Sequence, residues 1–289
     1  MSSDASFEGW DTASATYMTD YIIMVAGVLV GGLMWHQFGH SGDFSEPLPQ
    51  TFAAFGLLAG VGFGFMGIAV HVLATFGADG SQLSKVWFTE GSTWMFAWLL
   101  AMALLPLASA SLLSTSATYS KLSGAWVRAA KVLGAIISVI EVFLCFSNID
   151  STALASTIWG VVVAVASLIL VIALGRDSPG FPLVATGYAV HLVGYIVCFT
   201  LSAACARHFE QEEVQTESGP LYVKHPVSRN FYFCADNVNR YAIFHVCYAV
   251  SILILYCGVR VKADRDRDAS YLNLMRNAYQ KQNPRCCGV

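Results

Sequence analysis

The stretch DNVNRYAIFHVCYAVSILILYCGVRVK, Asp236 to Lys262, is long and apolar enough to cross a bilayer, yet its first half carries Asn237, Asn239, Arg240 and His245. Unpaired polar groups are expensive in hydrocarbon. The stretch therefore predicts a membrane helix whose polar start faces other polar groups rather than lipid. The remainder of the chain agrees: of 289 residues, 56% are hydrophobic and 12% charged, about half the charged share of a soluble domain.

Seven apolar runs approach the length of about 20 residues that a span requires. They fall at roughly 17–36, 51–77, 92–115, 124–147, 152–175, 181–204 and 238–260. Each is continuous rather than alternating, which predicts helices and not a barrel. The expected fold is all-α, a polytopic membrane protein with a seven-transmembrane-helix bundle over residues 17–260. A tail at 1–16 precedes it and a tail at 261–289 follows it. The opening residues MSSDASFEGWDTASATYMTD are acidic and carry no small-residue cleavage site after an apolar core, so the first run is expected to be retained. Glycines recur every four residues at Gly56, Gly60 and Gly64, and again at Gly27 and Gly31. Such small-residue stripes let helices approach closely, and the first two spans are expected to pack together. Pro106 is expected to kink the third.

Charge sets the expected direction. Seven Lys and Arg lie between Arg260 and Arg285, and Lys121, Arg128, Lys131 and Arg176 fall on the same side of a seven-span chain. The positive-inside rule then places the C-terminus in the cytosol (or matrix) and the N-terminus outside, in the plasma membrane or an endomembrane. The longest loop, about 205–237, would lie outside, with a short hairpin around Pro226. Cys205 and Cys234 bracket it, either as a disulfide in an oxidising compartment or as two separate thiols. In the tail, Tyr271, Leu272, Leu274, Met275 and Tyr279 define one apolar face of a short amphipathic helix, suited to the inner leaflet or to a partner. Cys286 and Cys287, beside Arg285, are candidates for S-acylation. The formal net charge of −3 gives no reason to expect nucleic acid as a partner.

Ionisable residues inside spans are rare and tend to face a bundle interior. Here they are Asp20, His71, Glu141, His191, Arg240 and His245. In the seven-span order all but His191 fall in the outer half of the membrane, with His191 near the midplane. This predicts a polar pocket formed by Asp20, His71, Glu141, Asn239, Arg240, Tyr241 and His245, with His191 below. Glu141 and Asp20 are the expected counter-charges for Arg240.

Three segments together, MTDYIIMV in span one, GVGFGFMGIAVH ending span two and DNVNRYAIFH opening span seven, resemble the seven-helix superfamily of alkaline ceramidases and progestin/adipoQ receptors. That resemblance implies a metal-dependent membrane hydrolase or a relative of one. It implies zinc held by a His late in the second core helix, in a Ser-x-x-x-His pattern, and by a His-x-x-x-His pair in the last. His71 matches the first ligand and His245 the second member of the pair. Gly67 stands at the Ser position and Tyr241 at the first His of the pair. Asp20 stands near the acid of the first helix, where it would shuttle protons while a zinc-activated water attacks a lipid amide or ester. A catalytic zinc normally takes three protein ligands, so the incomplete set implies a bundle that binds lipid or a small amphiphile rather than an intact hydrolase.

Other classes fit less well. The last span offers no Lys for a retinal Schiff base before Lys262, and GVGFGFMG satisfies a dinucleotide pattern only inside a helix, without the strand it needs. Asp-Arg-Tyr after span three and Asn-Pro-x-x-Tyr in span seven, the marks of G-protein-coupled receptors, are absent. No internal repeat suggests a transporter. The reading from a different class is a structural or accessory subunit of a larger membrane complex, contacting other membrane protein subunits through its Gly-lined helices, outer loop and tail.

Overall fold

Lipid leaves a backbone no solvent partner, so apolar runs of this length satisfy their N–H and C=O groups internally as helices. The computed structural model describes residues 14–39, 47–76, 93–147, 149–206, 209–216, 219–226 and 240–282. Among them are seven helices: α1 Ser14–Gly39, α2 Pro47–Phe76, α3 Thr93–Tyr119, α4 Gly124–Ser147, α5 Ile149–Leu174, α6 Phe181–Ala206 and α7 Arg240–Gln282. A two-stranded hairpin, β1 Phe209–Thr216 and β2 Gly219–Pro226, lies between α6 and α7. Its antiparallel register runs from Phe209↔Pro226 to Thr216↔Gly219. Pro226 thus ends the second strand instead of sitting at the turn, as suits a residue that cannot donate to a ladder.

Neighbouring pairs α1–α2, α2–α3, α3–α5, α5–α6, α6–α7 and α7–α1 pack in turn and close a six-helix ring. α4 lies outside it, against α3 and α5. The six ring helices are long and apolar enough to cross a membrane, whereas α4, with Arg128, Lys131 and Glu141, falls outside that group. Its contacts are nevertheless those of an antiparallel neighbour along α3. Ser138 donates to the Ala103 carbonyl at 2.5 Å, Gly134 lies against Pro106 and Ala110, and Ser114 donates to the Val127 carbonyl at 3.5 Å. The outward side of α4 carries Val132, Ile136, Val139, Ile140 and Phe143, all exposed.

Two expectations need correction. α7 does not stop near residue 260; it continues without interruption to Gln282. At about 1.5 Å per residue this helix is about 65 Å long, twice the hydrocarbon thickness. No Pro or Gly interrupts residues 259–282, and ion pairs one turn apart carry the helix across the exit: Lys262–Asp266 at 2.9 Å, Arg260–Asp264 at 3.5 Å and Arg267–Asp264 at 2.9 Å. The residues expected to start a separate amphipathic helix, Tyr271 to Tyr279, are its exposed extension. The second correction concerns the end of α3, which lies at Tyr119 rather than near residue 115, with Pro106 inside the helix. The Pro106 carbonyl serves the packing by accepting from Trp159 Nε1 at 3.3 Å.

The α1–α2 crossing is set by glycine. A Cβ on Gly27 would lie 2.6 Å from the Gly56 carbonyl oxygen, and one on Gly60 would lie 2.7 Å from the Val28 nitrogen. A side chain at either position would have to push one backbone off the other. Gly32, on the same helix, has nothing within 4 Å of its Cβ position. Replacing Gly27 with Val should therefore cost about 1–3 kcal/mol of stability. Gly32→Val should be nearly neutral by comparison, with thermal denaturation in detergent micelles, followed by tryptophan fluorescence, as the measurement.

Candidate functional site

At the end of the ring where α1 begins, three helices bring polar groups together. Thr16, Thr19 and Asp20 share one face of α1, as residues three and four apart do. Asp20 is fully buried, with 0% of its surface exposed. His245, in the second turn of α7, is buried as well, and its Nδ1 lies 3.3 Å from Asp20 Oδ1 and 3.0 Å from Thr19 Oγ1. Because the Thr19 hydroxyl already donates to the Thr16 carbonyl at 2.8 Å, its oxygen is left to accept. The proton of the pair therefore sits on Nδ1, which donates to Thr19 and faces the Asp20 carboxylate. Apart from that ion-pair contact, neither Asp20 oxygen has a hydrogen-bond partner among the described residues. Phe63 of α2 and Phe244 of α7 wall the imidazole, with ring centroids 5.5 and 5.4 Å away.

The close α1–α2 approach extends to this level. Gly67, at the position where the resemblance would place a Ser, faces Asp20 Cβ and the Tyr21 ring, its Cβ position 3.1 and 2.9 Å from them. One turn later His71 is exposed: it stacks on Tyr17 at 4.4 Å and its Nδ1 lies 3.3 Å from the Tyr21 hydroxyl. His71 and His245 thus occupy the same end of the bundle but meet different partners on α1. Tyr241 is half-buried one turn before His245.

His191 lies deeper. Ser251 donates to the Tyr248 carbonyl at 2.7 Å, so its oxygen accepts from His191 Nδ1 at 3.2 Å. The His191 ring packs on Tyr248 at 4.5 Å and edge-on to Tyr195 at 5.4 Å. Glu141 is fully buried on α4, away from Asp20, facing Ser156 of α5 and within electrostatic reach of Tyr195 of α6. Tyr195 packs against Phe244 with ring centroids 4.6 Å apart and planes tilted by 46°, so the aromatic layer between the two acids is Tyr195–Phe244–His245. Asp20, His245 and His71 come together at one corner, Glu141 occupies another, and Asp20's described partner is His245. Asn239, Cys234, Cys286 and Cys287 lie outside the described residues, and only the backbone of Arg240 and Cys205 is described. Thr16, Thr19, Tyr195, Tyr248 and Ser251 were not singled out by the sequence, although helical spacing from Asp20 and His245 marks Thr16 and Tyr248.

The donor set can be tested against chemistry. Zinc would require His71 and His245 to converge on one ion with a third ligand; Nδ1 of each faces groups of α1, which leaves only Nε2 for a metal. Among the described residues no group of three or more His, Cys, Asp or Glu is placed to hold a metal. The described residues alone do not complete the zinc centre that the resemblance implies. A nucleophile–His–Asp triad needs hydroxyl and carboxylate on opposite ring nitrogens; here Thr19 and Asp20 both face Nδ1. What remains is a buried acid–imidazole pair with acceptor capacity to spare.

The chain matches no family model, no curated protein and no solved structure.

Removing one member of a buried pair strands the other, so Asp20→Ala and His245→Ala should each be destabilising. The double variant should lose less than the sum, with a coupling of about 1–3 kcal/mol. A double-mutant cycle on unfolding in mixed micelles measures this; strictly additive losses would dissolve the pair.

Proposed function

We propose that this chain is a seven-span membrane protein whose Asp20–His245 corner receives the polar end of a lipid or other small amphiphile. The observation that carries the reading is the Asp20 carboxylate: wholly buried, yet without a hydrogen-bond partner among the described residues beyond its 3.3 Å contact with His245. An intramembrane acid left in this condition has acceptor sites for a ligand hydroxyl, amide or ammonium. Tyr17, Tyr21 and the exposed His71 stand at the approach, as amphipathic rings do at headgroup depth. The apolar exterior of α1 and α7, with Val25, Leu29, Val246 and Val250 exposed, suits acyl chains alongside.

Binding rather than hydrolysis is the reading this donor set favours. The acid of the first helix and the histidine of the last lie side by side, in keeping with kinship to the ceramidase and adipoQ-receptor superfamily, but a third ligand and an oriented nucleophile are missing among the described residues. The antiparallel packing of α4 along α3 supports seven spans despite its charges, because α5 runs parallel to α3 and begins at the same end. The second reading, an accessory subunit, draws on the exposed apolar side chains Tyr271, Leu272, Met275 and Tyr279 on the α7 extension.

Two measurements test the proposal. Native mass spectrometry of protein purified in mild detergent should retain a bound amphiphile on the wild type and lose most of it from Asp20→Asn, a near-isosteric change that removes the charge. Equal retention by both would refute the site. For topology, tags on the two termini should be reached from opposite faces of sealed vesicles, the C-terminal one from the cytosolic side; access from one face alone would mean an even number of spans.

A further inference from the structure

Glu141 is a buried acid that the Asp20–His245 corner does not use. It is 0% exposed, and neither carboxylate oxygen has a well-formed hydrogen bond among the described residues, the Ser156 hydroxyl making only a weak contact. No Lys, Arg or His makes an ion pair with it there; the ion pairs among the described residues involve Asp20, Asp264 and Asp266. Its polar surroundings come from two other helices. Ser156 of α5 faces it, and Tyr195 of α6 lies within its electrostatic reach. Tyr195 is admitted by a glycine: its hydroxyl occupies the space where a Cβ on Gly160 would stand. Among the described residues the polar groups near Glu141 are these two hydroxyls, which can supply oxygens but no positive charge. The inward turns of α4 are otherwise neutral, with Ser138 already donating to Ala103 and Cys145 buried one turn after Glu141.

Among the described residues this carboxylate has no counter-charge, and an uncompensated buried charge is among the costliest arrangements in a protein. A small cation would supply that counter-charge. We propose that Glu141, with the hydroxyls of Ser156 and Tyr195, is a binding site for a neutralising monovalent cation, either a proton or a dehydrated sodium ion. Oxygen donors of this kind suit hard cations. The site is separate from the amphiphile corner, since it joins α4, α5 and α6 rather than α1, α2 and α7.

The test uses the full-length protein in detergent micelles and the apolar reagent dicyclohexylcarbodiimide. The reagent takes the acid's proton onto one nitrogen, and the carboxylate oxygen adds to its central carbon. The resulting acylisourea rearranges to a stable acylurea with no other reactant. The expected result is an adduct on the peptide containing Glu141, absent from Glu141→Gln. Labelling that falls as pH rises and ignores sodium assigns the proton; labelling suppressed by sodium but not by an equal concentration of choline assigns the metal ion. Ligand that binds only the native state raises stability, so the wild-type melting temperature should rise by several degrees with the cation that protects, and Glu141→Gln should fold and lose that dependence. If Glu141→Gln does not fold, Glu141→Asp, which keeps the carboxyl, should retain both labelling and dependence. A wild type with no adduct at Glu141 and a melting temperature indifferent to both cations overturns the proposal, whatever becomes of the amphiphile site.

Discussion

The close approach of α1 to α2 is the constraint on which the polar corner depends. Five glycines, Gly27, Gly31, Gly56, Gly60 and Gly67, let backbone or side chain of one helix come within about 3 Å of where a Cβ of the other would stand. Only at that separation does the start of α1 lie deep enough for Asp20 to be covered while it still reaches His245. A methyl group at the crossing would lever α1 outward and separate a pair whose contact is 3.3 Å long. The Gly67 position illustrates the trade most plainly, because a Ser there would compete for the space that the Asp20 and Tyr21 side chains occupy. The packing solution and the polar site are the same piece of sequence.

Much of the bundle was legible because hydrocarbon allows few alternatives. Continuous apolar runs of span length fold as helices, and the run at 124–147 coincides with α4. The glycine stripes named the α1–α2 contact for a physical reason, since a missing side chain is visible in sequence as a missing side chain. The end of α7 was not legible. Apolarity falls at Lys262, but a helix ends on breakers and caps, and none stands between Val259 and Gln282. Charge marks where the apolar window closes; it does not mark where hydrogen bonding stops.

The polar residues divide along the same line. That Asp20 and His245 would be inside was legible, because ionisable groups at such positions are rarely turned to lipid. Which groups they meet was not, because helical periodicity fixes a face and a level without fixing the neighbour across the gap. Level alone set Arg240 opposite Asp20 and Glu141, and its side chain lies outside the described residues. In the fold, Asp20 takes the imidazole of His245, and Glu141 lies behind a different pair of helices with two hydroxyls for company. Thr19 escaped notice because its role follows from where its own proton goes, to the Thr16 carbonyl.

The two buried acids nonetheless share one aromatic layer. Tyr195 lies near Glu141 and packs against Phe244; Phe244 adjoins His245, which faces Asp20. An aromatic ring transmits no proton along its face, so the layer separates the acids chemically while joining them mechanically. Close-packed interiors pass small displacements from neighbour to neighbour. A shift of α6 that reseats Tyr195 would press on Phe244 and so on the imidazole that holds Asp20. Occupancy at either acid thus has a packed route by which to bias the geometry of the other, and the route runs through α6 and α7, whose mutual approach is itself fixed by Gly187, Gly194 and Gly258.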